Sequence, residues 1–230
     1  MDGLSNDVTH LVKFVLLGDN GAGKTSIMHR LMDNTFDKNI APSLGSEFYS
    51  QNFTCSRAFK VQFWDTAGGE RFYNNRQIFY LDASIFFIVF DICNEDALMN
   101  IPKHLEEIRW KKDEGLDRYA TEFKNGAIVC LVGNKRDMRH LRKVSEDDAR
   151  MFAKTHDLHY FEMSAKTGED VKSIFEEVIL AFDEMDAKDR KAGGVGLSKV
   201  LDFAPSSVDF EESEPLWIEY DGRKNKYCCC

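Results

Sequence analysis

"LVKFVLLGDNGAGKTS", residues 11–26, is the stretch on which the reading of this chain turns. Residues 11–18 form an apolar run of strand length, broken only by Lys13. A glycine-rich turn follows, and a helical period begins at 24 and continues to about 33. A strand that turns through glycines into a helix leaves the first backbone N–H groups of that helix without intrahelical partners. The spacing is Gly18, four residues, Gly23, Lys24, Thr25, which is G-x-x-x-x-G-K-[ST] with the required strand before it and helix after it. Such glycines let N–H groups line a concave nest around anionic oxygens, and the helix end adds a partial positive charge. Lys24 supplies a full charge for the β- and γ-phosphates, and the Thr25 hydroxyl can ligate Mg²⁺. The expected contacts in this loop are Asn20, Gly21, Ala22, Gly23, Lys24, Thr25 and Ser26. They call for a nucleoside triphosphate without saying which base.

Outward from this loop, strand-like and helix-like segments alternate. Residues 59–65, 84–91, 127–134 and 158–164 read as further strands, and 84–91 and 127–134 are apolar enough to be buried on both faces. Helical patterns fall at about 24–33, 95–111, 145–156 and 169–186. Two of them carry capping-box starts, Ser145 with Asp148 and Thr167 with Asp170. Residues 47–54, joined to 59–65 by a short link, predict one antiparallel hairpin at the sheet edge. The expected fold is α/β: a P-loop NTPase of three layers, α/β/α, with a six-stranded, mostly parallel sheet and one antiparallel edge strand. We expect an N-terminal extension at 1–10, one domain over 11–187, and a flexible tail at 188–227. From 202 to 221 that tail holds seven acidic residues and no basic one.

At 230 residues the chain is long enough for one well-buried domain with appendages. Its formal net charge of −9 argues against a nucleic-acid partner, since no basic field would offset phosphate repulsion. Cys55, Cys93 and Cys130 lie in apolar surroundings without a C-x-x-C pair and read as reduced intracellular thiols. The strongest apolar run, 85–90, has strand length rather than membrane-span length, and 1–10 shows no secretory signal pattern. His10, His29, His104, His140, His156 and His159 form no ligand or triad pattern and read as surface or satisfied polar residues.

The base is addressed by "GNKRD", which ends the strand at 127–134 and supplies Asn134, Lys135 and Asp137. A carboxylate there accepts two hydrogen bonds from guanine N1–H and the exocyclic amine, a donor pair that adenine lacks. The Lys135 stem can lie along the base, and Asn134 can tie this loop to the glycine-rich one. "MSAKTG" (163–168) follows the next strand with Ser164, an Ala165 N–H that could meet guanine O6, and Lys166 to cover the base. An ATP-dependent P-loop kinase predicts no such guanine loop, and Asp137 speaks against it.

With these motifs the chain resembles the Ras superfamily of small GTPases over roughly residues 9–186, and "FWDTAGGERF" (63–72) looks like the Rab form W-D-T-A-G-Q-E-R-F. The resemblance implies that Asp65 holds Mg²⁺ through a water and that the Gly68 N–H bonds the γ-phosphate, where a side chain would block the approach. It implies switch segments around 36–48 and after 68, ordered by the γ-phosphate and released on hydrolysis. Phe36 stands where the family packs an aromatic ring near the guanine. Ser43 stands at the family's Mg²⁺-ligating threonine and keeps both hydroxyl and N–H, though without the methyl, so a looser closure is expected. Phe48, Trp64 and Phe79 match the family's aromatic effector triad.

Gly69 occupies the position of the family's water-orienting glutamine and has no amide to do that work. In this enzyme class the intrinsic rate is already on the order of 10⁻⁴ s⁻¹. A further ~10-fold loss corresponds to only ~1.4 kcal/mol of transition-state stabilisation. Two readings stand: a GTP-bound scaffold with vestigial hydrolysis, or a GTPase whose catalysis is completed in trans by an activating protein. The chain ends in Cys228, Cys229 and Cys230, which satisfies both CC and C-x-C, the geranylgeranylation signals of Rab-type proteins. Two prenyl chains hold stably where one is marginal, and anionic lipid would repel the acidic 202–221 stretch. The resemblance implies a monomeric switch on the cytosolic face of endomembranes or plasma membrane, with a cytosolic pool. It implies an exchange factor, an activating protein, a dissociation inhibitor, prenylation machinery and effectors as partners.

Overall fold

The computed structural model describes residues 9–41, 47–54, 56–66, 80, 82–108, 127–194, 199–201 and 216–217. In chain order the elements are β1 (Thr9–Leu17), α1 (Lys24–Asp33), β2 (Glu47–Thr54), β3 (Ala58–Asp65), β4 (Ile85–Asp91), α2 (Ala97–Ile108), β5 (Ile128–Asn134), α3 (Glu146–Thr155), β6 (His159–Glu162) and α4 (Val171–Lys191). A 3-10 turn, Arg136–Leu141, follows β5. Two short strands complete the set, β7 (Lys199–Leu201) and β8 (Leu216–Trp217).

β1, β3, β4, β5 and β6 run parallel, and β2 pairs antiparallel with β3 from Glu47↔Asp65 to Thr54↔Ala58. The strand order is β6-β5-β4-β1-β3-β2. The expected six-stranded, mostly parallel sheet is therefore present. Beyond it β8 pairs with β2, and β7 pairs antiparallel with the start of β1.

Alternation along β1 divides the core. Phe14 and Leu16 face one layer with α1 and α4, including Ile27, Met28, Phe175, Val178 and Phe182. Val15 and Leu17 face the other, with Ile101, Leu105 and Ile108 of α2 and Ala149 and Ala153 of α3. Phe14 touches the rings of Phe63, Phe87 and Phe175 at 4.6 to 5.3 Å between centroids, so aromatic edges and faces lock α4 onto the sheet. β4 and β5 are buried almost throughout, as continuous apolar strands must be when helices cover both faces.

Ser145 caps α3 as expected, accepting the Asp148 N–H at 3.0 Å. The second capping box does not form. α4 starts one residue after Asp170, which takes a left-handed conformation (φ 60) with no side-chain cap. Thr167 is used inside the preceding turn, where its hydroxyl accepts the Glu169 N–H, because that turn closes on Ser164 through Gly168 N–H and Glu169 O. α4 also runs past 187 to Lys191. Basic residues in its last turn suit the helix's negative end, and Gly193 (φ 89) then supplies the left-handed exit.

At the end of the sheet remote from the β1–α1 loop, Arg57 in the β2–β3 turn grips α4. It donates to Asp183 and, at 2.5 Å, to the fully buried Asp186, while Ser56 also donates to Asp183. Arg190 adds a 3.0 Å bond to Asp186.

Candidate functional site

β1 has β3 on one side and β4 on the other, so successive connections run to opposite sides of β1 and leave a switch point at the C-terminal ends of these parallel strands. Open α/β sheets place their ligand crevice at that switch point, and the glycine-rich loop sits there. Gly18 must be glycine, because a Cβ at its φ of 138 would run into the Val89 carbonyl on β4. Gly23 (φ 94) is likewise required: a Cβ would strike the Asn134 amide nitrogen. The loop is thus wrapped against β4 and β5, and the first turn of α1, which has no side-chain cap, lines the crevice through Lys24, Thr25 and Ser26.

That crevice is a cleft of about 610 Å³. Of the residues expected from sequence, it brings together Asn20, Gly21, Gly23, Lys24, Thr25, Ser26, Phe36, Asn134, Lys135, Asp137, Ala165 and Lys166. Ala22 and Ser164 are buried just behind its wall. Ser43, Gly68, Gly69, Phe79, Cys228, Cys229 and Cys230 lie outside the described residues.

At the phosphate end, Lys24 is buried, and its ammonium donates to the carbonyls of Gly18 (2.9 Å) and Asp19 (3.0 Å). Thr25 donates to Asp65 Oδ2 at 2.5 Å. Asp65 ends β3 with 0% exposure, and its other oxygen, Oδ1, has no hydrogen-bond partner. Burial raises the pKa of this carboxyl. A buried carboxylate oxygen left bare beside a threonine hydroxyl fits a hard cation with oxygen ligands. Among the described residues no three His, Cys, Asp or Glu side chains cluster into a self-contained metal site. Thr25 and Asp65 would supply part of the oxygen shell of such a cation, the rest coming from water or a bound anion.

At the base end, Asn134 joins two loops: its amide donates to Ala22 O (2.9 Å) and its carbonyl accepts the Ala165 N–H (3.1 Å). The Ala165 N–H expected at guanine O6 is thus engaged by Asn134 and would have to be shared. Asp137 accepts the Ser164 hydroxyl on Oδ1 (2.7 Å), and Lys166 lies 3.5 Å from Oδ2. Lys135 adopts a left-handed φ of 69. Its ammonium is anchored to Asp91 at 2.7 Å, which stretches the aliphatic stem between backbone and anchor.

Sequence reasoning missed several supports. Arg30 of α1 donates to the carbonyls of Ala165 (2.9 Å) and Lys166 (2.8 Å), fixing the base-end loop from behind. Asp91, which anchors Lys135, is not singled out by sequence, nor are Thr66, Asp37, Lys38 and Met138 of the cleft lining, and His140, expected at the surface or as a satisfied polar residue, lines the cleft too. Thr66 lies within the 63–72 motif and Asp37 and Lys38 within the 36–48 segment, but only long-range contacts reveal that these residues reach the cleft. His104, expected at the surface or as a satisfied polar residue, is buried beside Asp19 of the glycine-rich loop.

On the outer side of β2 and β3, Phe48 is 49% exposed and meets Trp64 edge-on at 5.0 Å, the two being direct cross-strand neighbours.

The fold and its crevice are those of a P-loop α/β protein. The Ras family model matches residues 13–184. Ras-related protein RABF2b of Arabidopsis thaliana is 32% identical over 196 residues, covering 85% of this chain and 92% of its own. GTP-binding protein ypt3 of Schizosaccharomyces pombe is 30% identical over 215 residues (91% and 95%). Ras-related protein Rab-27B of Homo sapiens is 32% identical over 184 residues (75% and 80%). The chain belongs to the Ras superfamily, as a small GTPase of the Rab family.

Proposed function

We propose that the chain is a membrane-recruited GTP/GDP switch in vesicle traffic, and that it hydrolyses GTP slowly because Gly69 replaces the water-orienting glutamine. The observation that carries this reading is one cleft lined by Lys24 and Thr25 at one end, with Asp65 bonded to Thr25 beneath it, and by Asn134 and Asp137 at the other. Lys24 and the N–H groups of 21–26 hold the phosphates; Asp137 reads the base, with Phe36 and the stems of Lys135 and Lys166 around it. Thr25, Ser43 and Asp65 (through a water) hold Mg²⁺, which when bound neutralises charge on the phosphate oxygens. Gly68 offers its N–H to the γ-phosphate.

Phe48, Trp64 and Phe79 form the effector surface. Among the described residues no helix is long and apolar enough to cross a membrane. Attachment is assigned to geranylgeranyl groups on two of Cys228, Cys229 and Cys230, under the control of an exchange factor, an activating protein and a dissociation inhibitor.

Single-turnover hydrolysis of bound GTP tests the catalytic part. Gly69→Gln is expected to turn over about 10-fold faster than the parent chain, and a Rab-activating protein is expected to accelerate the parent. Equal rates for parent and Gly69→Gln would overturn the role given to Gly69. The second reading, a constitutively GTP-loaded scaffold, is favoured by Gly69 alone. It wins if no activating protein raises the parent's rate.

A further inference from the structure

Asp19 does two things at once. Its backbone carbonyl, with that of Gly18, holds the Lys24 ammonium. Its carboxylate points the other way, to α2, where Asn100 donates at 2.8 Å and His104 Nε2 lies at 3.1 Å. The His104 side chain is only 6% exposed. Its second nitrogen, Nδ1, lies 3.4 Å from Glu107 Oε1, close enough for charge pairing but not aligned as a hydrogen bond. Glu107 in turn accepts the Tyr80 hydroxyl at 2.8 Å, and Tyr80 is buried where the chain leaves the segment containing Gly68 and Gly69. A line of contacts thus runs from Lys24 through Asp19, His104 and Glu107 to Tyr80.

We propose that His104 is a positioning residue for nucleotide retention, which in its charged form bridges the P-loop through Asp19 to Glu107 and Tyr80. This rests on the nucleotide-binding reading of the cleft. An imidazolium carries two N–H donors, one for each flanking carboxylate, whereas the neutral ring carries one. Losing the proton leaves one ring nitrogen with a lone pair: on Nδ1 it costs the buried Glu107 its charge partner, and on Nε2 it costs the part-exposed Asp19 its hydrogen bond. If Asp19 loses it, only Asn100 still holds its carboxylate to α2, and the carbonyls that fix Lys24 are freer to move.

The groups facing His104 are Asp19 from the loop, with Lys24 behind it, Glu107 from its own helix, and the Tyr80 hydroxyl beyond Glu107. Burial disfavours the charged ring, but Asp19 and Glu107 outweigh it and raise the pKa above the ordinary 6.5. The His104 contact holds the Asp19 carboxyl below its ordinary value. With the folded pKa of His104 raised, the bridge is complete below 6.5 and fades as pH rises through the folded value.

The test is dissociation of a fluorescent GDP from the full chain in Mg²⁺, chased with excess GDP, from about pH 6 to about pH 8.5. The parent's rate is expected to rise roughly 3- to 10-fold across this range. His104→Gln should be flat and fast, and Glu107→Gln should move the midpoint to lower pH. Parallel profiles for parent and His104→Gln, or an unmoved midpoint in Glu107→Gln, would overturn the inference while leaving nucleotide binding intact. Failure to bind GDP at any pH would overturn both. Should His104→Gln not fold, the His104 ring proton resonance can be titrated in the parent. Its midpoint must coincide with that of dissociation, and a mismatch sinks the proposal.

Discussion

Asp137→Asn is expected to weaken GTP binding roughly 10²- to 10⁴-fold and to make xanthosine triphosphate the better ligand. Two charge-assisted hydrogen bonds are lost, at about 1.5–3 kcal/mol each. The new amide nitrogen then meets the guanine N1–H and amine, donor against donor. Xanthine places a carbonyl where guanine has its amine, so the same amide suits it. The substitution is benign to the fold, since an Asn oxygen can still accept the Ser164 hydroxyl that Asp137 Oδ1 accepts now. Competition of GTP, xanthosine triphosphate and ATP for the cleft, with the melting temperature as control, measures this. Undiminished GTP affinity would show that Asp137 does not read the base.

Arg57→Ala should cost about 3 kcal/mol of stability in urea denaturation, the low end of the range for breaking a buried ion pair. The substitution leaves Asp183 and the fully buried Asp186 without the guanidinium that bridges them, while Arg190 remains beside Asp186. Arg57→Lys is expected to recover only part of the loss, because an ammonium cannot span both carboxylates as the fork does. A loss below about 1 kcal/mol would mean that Arg190 alone compensates the pair.

The layers of the fold were legible because each signal was local. Apolar strand runs, a period of 3.6 in the helices and glycines at a strand–helix turn all fall within a dozen residues of one another. The cleft was legible to the same extent, since its contacts come in short spaced motifs: Gly18 to Thr25, Asn134 to Asp137, Ser164 to Lys166. What stayed hidden is tertiary. Nothing near Arg57 in sequence announces Asp183 and Asp186, and nothing near His104 announces Asp19. Both pairings join segments about 85 or more residues apart. The failed capping box shows the opposite limit. Thr167 and Asp170 have the right spacing, but the turn folding back on Ser164 claims Thr167 first.

β3 places Trp64 and Asp65 next to each other, the indole on the outer face beside Phe48 and the carboxylate buried beneath the phosphate end of the cleft. With Phe48 and Trp64 read as a partner surface, sensor and display are separated by one peptide unit. A backbone shift at Asp65 would act directly on Trp64, since the two residues share one planar peptide unit. On that reading, a partner on Phe48 and Trp64 would lie one strand's thickness from the carboxylate beneath the phosphate end. No substitution can be inserted between cause and signal, because there is no residue between them.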